Sequence, residues 1–207
     1  AEEQLKDSGY RLMKLQAQGM PEYLPYLSER LSKGSVVGFD GKLVSVQLAE
    51  VIFGQFSPRG ISLRSDLDYL DPIWENRPEL PRSGAYLLDE SVTGQSVNNK
   101  ISEVRSVLEG VGATHHLISS LDDLAWLFNI RGSDVKCNPV VLGFALISRD
   151  RVSLFMDPDK LETEQRAVLS DSGVDLLPYD SVESELAWMP DGATMLIDPN
   201  RSCYGVS

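Results

Sequence analysis

At 207 residues the chain has room for one large domain or two small ones, and a 42% hydrophobic share is enough to build a core, which excludes a disordered polymer. With 31 acidic residues against 19 basic, the net charge of -12 repels phosphate backbones and anionic membrane surfaces, and no basic patch offsets it. Nucleic acid and membrane are therefore not expected partners. No apolar run reaches the roughly 18 residues of a membrane span. The opening AEEQLKDSGY has no signal-peptide character, so a cytosolic compartment is expected. Cys137 and Cys203 are far apart and form no CxxC, which supports neither a disulfide framework nor a zinc ribbon.

In chain order, AEEQLKD reads as a helix end and YRLMKLQ as a strand, with Leu12 and Lys14 alternating against their neighbours. A helix over PEYLPYLSERL ends at Lys33-Gly34 and is followed by SVVGFD, a buried strand. The Ser45 hydroxyl can accept a free first-turn N–H and so cap a helix over VQLAEVIFGQF, which Pro58 and Gly60 stop; ISLRSDL is the next strand. Residues 71–84, DPIWENRPELPRSG, contain Pro72, Pro78 and Pro81, which remove backbone donors, and mark the boundary between two domains. Trp74 in this linker is placed to pin the two together.

Beyond the linker, AYLLDE reads as a strand. Val97, Ile101, Val104, Leu108 and Val111 recur at helical spacing. THHLISS is a strand, and Ser120 with Asp123 has the spacing of a capping box opening LDDLAWLFNI, with Leu121, Leu124, Ala125 and Phe128 on one face. VVLGFALIS and RVSLFMD form two adjacent strands turning at Arg149-Asp150. The helix KLETEQRAVLSDSG, whose Glu162-Thr163-Glu164 run reads as a solvated face, then leads to VDLLPY, the short helix SVESELAWM and a last strand, ATMLID. Strands alternating with helices, plus one hairpin, give an α/β fold with mixed sheets. MPEYLPYLSERLSKGSVVGFDG also resembles LPYDSVESELAWMPDGATMLIDP, each a proline, a short helix, a glycine turn and a strand ending in Asp40 or Asp198. Two related domains end to end would produce this, the first without its beginning and the second without its end.

The sequence has no HExxH, GxSxG, GxxxxGK[ST] or GxGxxG. His115 and His116 are neighbours on a strand and point to opposite faces, so they do not share a metal. Asp40 and Asp198 could hold a metal as in nuclease-like α/β folds, but each lies in a turn where a carboxylate commonly bonds its own backbone. Cys137 has Lys136 beside it and no histidine near it in sequence, which does not make a nucleophile. Trp126 and Phe128 read as core or interface residues. The polar stretch after Ile130 stands apart. Gly132 reads as a position for a conformation closed to other residues, and Asn129 and Arg131 sit where a helix ends and its carbonyls need donors. Alternatively, the Arg131 guanidinium, a rigid fork suited to a carboxylate, faces a ligand or an interface.

These residues carry a resemblance. LDDLAWLFNIRGSDVKCNPV resembles the middle-domain signature of the long, three-domain aminopeptidases P, in which a tryptophan-bearing helix runs into Asn-x-Arg-Gly-Ser-Asp and then Asn-Pro. DPIWENRPELP is similar to that family's inter-domain linker, TGQSVNNKISEVRSVL to the opening helix of its middle domain, AEEQLKDSGYRLMK to part of its first domain, and FMDPDK and YDSVESEL to its later middle domain. Lys136-Cys137 depart from the acidic or histidine residue often found there.

The resemblance, to a group that includes creatinase and prolidase, implies a six-stranded mixed sheet flanked by helices for each N-terminal domain. Residues 1–70 would be the C-terminal part of the first such domain, 71–84 the linker and 85–207 the second. It implies a parent Xaa-Pro aminopeptidase that removes the N-terminal residue from short peptides with proline second. Two divalent metal ions, manganese among the candidates, would sit in a C-terminal pita-bread domain, with no catalytic residue or metal ligand in this chain. This region would support homodimerisation and wall the active-site entrance, with Asn129, Arg131, Asp134 and Asn138 on a loop facing the cavity. The alternative is a stand-alone creatinase-like module that binds peptides or partners without hydrolysis.

Overall fold

The computed structural model describes residues 2–10, 12–14 and 21–206. A short α1 (Glu2–Leu5) opens the chain; residues 12–14 are not in a strand, and the rest of the strand expected over YRLMKLQ lies largely outside the described residues. Then come α2 (Tyr23–Arg30), β1 (Val36–Gly38), α3 (Val46–Phe56) and β2 (Ser62–Arg64). β1 and β2 pair in parallel as a two-stranded sheet, and Leu24, Ile52, Phe56 and Ile61 form the core beneath it. β1 is not the buried strand its apolar letters suggest. Val36 is 62% exposed, and among the described residues β2 alone flanks β1.

The first turn of α3 shows why this unit is attached to the far end of the chain. A helix leaves its first N–H groups without partners. Here the Ser45 Oγ accepts from Leu48 N at 3.2 Å, while Val46 N and Gln47 N donate to Ser202 O and Pro199 O at 3.0 and 2.9 Å. Tyr204 N reaches Val44 O and Gly205 N reaches Gly41 O, both at 2.8 Å, and the Tyr204 ring packs on Phe53 with centroids 5.6 Å apart. A side chain on Gly205 would meet the Gly41 carbonyl carbon at 3.0 Å, so the close approach of these two backbones requires glycine.

Residues 71–80 are exposed throughout, with one 3-10 turn at Asp71–Ile73. Trp74 packs within the linker rather than between two bodies: the Arg77 guanidinium lies over its ring at 5.5 Å and is itself held by Asp68 and Asp71. The linker ends where Ala85 N donates to Lys160 O.

The remaining elements are β3 (Tyr86–Leu87), α4 (Glu90–Thr93), α5 (Val97–Val111), β4 (His115–Ile118), α6 (Leu121–Leu127), β5 (Ile130–Arg131), β6 (Phe144–Ser148), β7 (Val152–Phe155), α7 (Thr163–Asp171), β8 (Val174–Leu177), α8 (Val182–Ala187) and β9 (Met195–Leu196). Five strands form a mixed sheet in the order β8-β7-β6-β4-β9. The β6–β7 hairpin and the β4–β6 pair are antiparallel, whereas β8 and β9 add in parallel. The two-residue strands β3 and β5 pair with each other rather than extending this sheet to six, the backbone taking a left-handed conformation at Asn129 just before β5.

Strand alternation divides the core. Ile118, Ala145, Ile147, Val152 and Leu154 face α5, α6 and α7. Leu117, Phe144, Leu146 and Phe155 face α8 and Val206. β7 is buried along its whole length because both its faces are covered. The expected capping box at α6 does not form. Ser120 makes no side-chain cap; its Oγ accepts from Arg201 Nη1 at 2.7 Å, and the same guanidinium holds the Asp123 carboxylate at 3.3 Å, so a long-range contact replaces the local one.

Phe128 is fully buried beneath the sheet. Phe128→Ala is expected to lower the unfolding free energy by about 3–5 kcal/mol, whereas Val107→Ala on the exposed face of α5 changes it by about 0.5 kcal/mol or less, both read from urea denaturation.

Candidate functional site

The polar stretch after α6 is built on its C-terminal end. The last carbonyls of a helix lack partners, and here two cations supply them. Arg131 Nη1 donates to Ala125 O at 2.6 Å and to Ile130 O at 2.8 Å. Lys100 Nζ, from α5, donates to Trp126 O and to Asn129 Oδ1, both at 2.6 Å, and lies 4.8 Å from the centre of the Trp126 ring. Asn129 has φ 53°, a left-handed conformation asparagine tolerates, and its Nδ2 donates to Gln95 O at 3.0 Å. Lys100 is 2% exposed and has no carboxylate partner among the described residues. Burial, and next the charge of Arg131, pull its pKa below the usual lysine value.

Beyond β5 the chain folds back on itself. Gly132 is needed here, but not for its conformational freedom: a Cβ at this position would lie 2.5 Å from Val141 Cγ1. The left-handed residues of the loop are Asn129 and Cys137. Gly132 N donates to Pro139 O and Asp134 N to Val140 O, and Val135 bridges to Asn138. Asp134 points inward. Its carboxylate is fully buried, and its Oδ2 takes Lys160 Nζ at 2.6 Å and Leu142 N at 2.7 Å, while Oδ1 has no protein partner. Lys160 in turn lines a cleft of about 450 Å³ with Arg82, Leu142, Asp157 and Tyr179, between the end of the linker and the C-terminal ends of β7 and β8.

The four residues singled out in the sequence therefore divide. Asn129, Arg131 and Asp134 make internal bonds that fix the loop. Asn138 is part-exposed, with Nδ2 at 3.5 Å from Asp122 Oδ1. Ser133, Val135, Lys136 and Cys137 form the exposed tip. Sequence reasoning missed Lys100 and Lys160. Lys100 carried a signal, since it falls between Val97 and Ile101 on the apolar stripe of α5; nothing in the sequence around Lys160 marked it.

Other candidate ligands are hydrogen-bonded within the protein. Asp40 Oδ1 accepts from Lys42 N at 2.8 Å and Asp198 Oδ1 from Asn200 N at 2.9 Å, the self-bonded turns expected. His115 Nδ1 pairs with Thr114 Oγ1, and His116 Nδ1, on the opposite face, with Leu196 O. Among the described residues no three His, Cys, Asp or Glu side chains are grouped to hold a metal, so the residues present do not fit a dinuclear centre. No helix among them is long and apolar enough to cross a membrane.

Removing one partner of a buried ion pair leaves the other charge without compensation. Asp134→Ala is expected to cost about 3–5 kcal/mol in chemical denaturation, with much of that recovered when Lys160→Met is added. Lys100 is protonated less readily when folded than when unfolded, so its charge opposes folding below its folded pKa and this penalty lifts as pH rises towards the unfolded value. The stability of the native sequence relative to Lys100→Met should consequently increase as pH is raised through that window, a trend measured by urea denaturation at each pH.

Comparison with known proteins adds to this geometry. Residues 76–207 match the creatinase/prolidase N-terminal domain family. A probable Xaa-Pro aminopeptidase P of Colletotrichum graminicola is 35% identical over 85% of this chain and 29% of its own length. Xaa-Pro aminopeptidase 1 of Dictyostelium discoideum is 31% identical over 98% of this chain and 34% of its own. In structure, the chain is similar to an X-prolyl aminopeptidase from Caenorhabditis elegans, described as a cytosolic enzyme with a di-nuclear active site, with a TM-score of 0.83, 27% identity, 91% of this chain covered and 32% of that one. The chain thus spans about a third of the length of these relatives and corresponds to their N-terminal region.

Proposed function

Because the chain belongs to the creatinase/prolidase N-terminal domain family, we propose that it is the non-catalytic N-terminal region of a metal-dependent Xaa-Pro aminopeptidase acting on short peptides with proline second. Residues 1–70 are the C-terminal part of a first creatinase-like domain, 71–84 the linker and 85–207 a second such domain. The observation that carries this reading is the use the chain makes of its ligating side chains. His115, Asp40 and Asp198 each make a hydrogen bond to a residue one or two positions away, His116 bonds the Leu196 carbonyl of the neighbouring strand, and Asp134 bonds a lysine. Metal-activated water needs an open coordination sphere held by several side chains, so the two metal ions, manganese among the candidates, belong to a separate catalytic domain.

This region shapes access to that centre and supports a homodimer in the cytosol. Asn129, Arg131 and Asp134 brace the loop, and Asn138 with the exposed tip of Ser133, Val135, Lys136 and Cys137 faces the catalytic cavity of its own or a partner subunit. Lys100 and Lys160 make the loop rigid at both ends, which suits a wall that limits the length of an entering peptide.

The test compares the 207-residue chain with the longer polypeptide that contains it, each with manganese and a tripeptide carrying proline second. Release of the first residue by the longer polypeptide alone is the expected outcome. Metal-dependent turnover by the 207-residue chain would overturn the reading, as would a longer polypeptide with no such activity. In the active polypeptide, Lys136→Glu at the tip should lower kcat/KM on the order of tenfold through KM.

A further inference from the structure

Many arginines in this acidic chain pair with carboxylates: Arg30, Arg64, Arg77, Arg82, Arg151, Arg166 and Arg201 each stand within salt-bridge distance of one. Among the described residues Arg59, Arg105, Arg131 and Arg149 do not; Arg59 and Arg131 are bonded to Ser28 Oγ and to backbone carbonyls, whereas Arg105 and Arg149 line one cleft of about 320 Å³. Arg105, on α5, is half-buried. Its Nε donates to Ser148 O at 2.9 Å, which fixes the plane of the guanidinium and leaves both terminal nitrogens without protein partners among the described residues. Arg149, at the tip of the β6–β7 hairpin, has no hydrogen bond or ion pair among the described residues. Leu108 and Ala113 provide apolar lining, and Ser106 and Thr114 complete the wall with hydroxyls already bonded to Ser102 O and Thr194 O.

Closing the C-terminal end of α5 does not require these cations. Gly112, with φ 72°, donates its N–H to Glu109 O, and Ala113 N donates to Leu108 O, so the last turn is satisfied by its own backbone. Arg105 and Arg149 bring two positive charges to one cleft, and a protein of net charge -12 has many carboxylates that could have paired with them. The nearby acids do not: Glu109 lines the cleft and Asp150 adjoins Arg149, yet neither forms an ion pair with them.

We infer that the Arg105–Arg149 cleft is a binding site for a small organic oxyanion, a carboxylate or phosphate on an apolar body of about amino-acid size. The two guanidiniums grip the oxyanion in the charge-assisted manner that suits arginine, Leu108 and Ala113 receive the apolar body, and Glu109 on the rim weakens binding of multiply charged anions. The site goes beyond the proposed peptidase role, because it uses neither the loop nor any catalytic domain.

The test is a titration of the folded 207-residue chain, labelled with nitrogen-15 and held in low-salt Tris, with inorganic phosphate and separately with N-acetyl-alanine. Saturable shifts of the Arg105 Nε and Arg149 amide resonances with either anion are expected. The stronger of the two identifies whether phosphate or carboxylate is the preferred group. Arg149→Gln lies in an exposed turn and should leave the spectrum otherwise unchanged while weakening the anion by about tenfold. Glu109→Gln should tighten phosphate, and added chloride should loosen it. Shifts that stay linear for both anions, affinity unaffected by Arg149→Gln, or weaker phosphate binding in Glu109→Gln would overturn the assignment.

Discussion

The five-stranded sheet and its helices rest on a buried lysine that no carboxylate among the described residues neutralises. Lys100 rises from the apolar stripe of α5 and meets two oxygens at the end of α6, Trp126 O and Asn129 Oδ1. A cation in such a place is tolerated because the helix end presents partial negative charge and because carbonyl and amide oxygens solvate it in place of water. The consequence is geometric. With Asn129 held from both sides, by Lys100 and by its bond to Gln95 O, the backbone must enter the left-handed region there, and the chain leaves α6 along β5 towards β3. Arg131 then bonds the Ala125 carbonyl. Asn129 and Arg131, which the resemblance placed on a loop facing the cavity, are thereby used to set the direction of the segment that follows.

Features set by local chemistry were legible in the sequence. The cap at Ser45, the stop at Gly60, the amphipathic α5, the β6–β7 hairpin and the self-bonded turns at Asp40 and Asp198 all follow from groups within a few residues of each other. Features decided by distant partners were not. Ser120 and Asp123 have the spacing of a local cap but bond Arg201. Gly132 reads as a conformational glycine, yet what excludes a side chain there is Val141. Trp74 reads as a pin between bodies, yet Arg77 is its partner.

The same division explains the candidate site. The motif after α6 located the loop, because an asparagine and an arginine following an apolar helix signal a terminus that needs donors. It could not reveal that Asp134 turns inward, since the reason is Lys160, a residue that follows Asp157-Pro158 and is buried only when the 3-10 turn at Pro158–Lys160 tucks beneath the loop. The orphaned Asp134 Oδ1 marks the remaining polar demand at this spot, and a buried oxygen of this kind is ordinarily met by an internal water.

The two helix-turn-strand units that resemble each other in sequence also share a local geometry. Gly34 and Gly192 both take left-handed conformations before β1 and β9, each strand adds in parallel to its sheet, and each unit ends in an aspartate that accepts from the N–H two residues on. The segments following those aspartates then meet. Gly41 and Gly205 touch backbone to backbone, and the carbonyls of Pro199 and Ser202 complete the first turn of α3. An unsatisfied helix start in one unit is thus matched to free carbonyls at the end of the other, and small residues at the crossing allow the two chains to come close enough for those bonds to form. That dependence makes the strap at 198–206 part of the first unit's stability as well as the second's, although it follows the linker by more than a hundred residues of sequence.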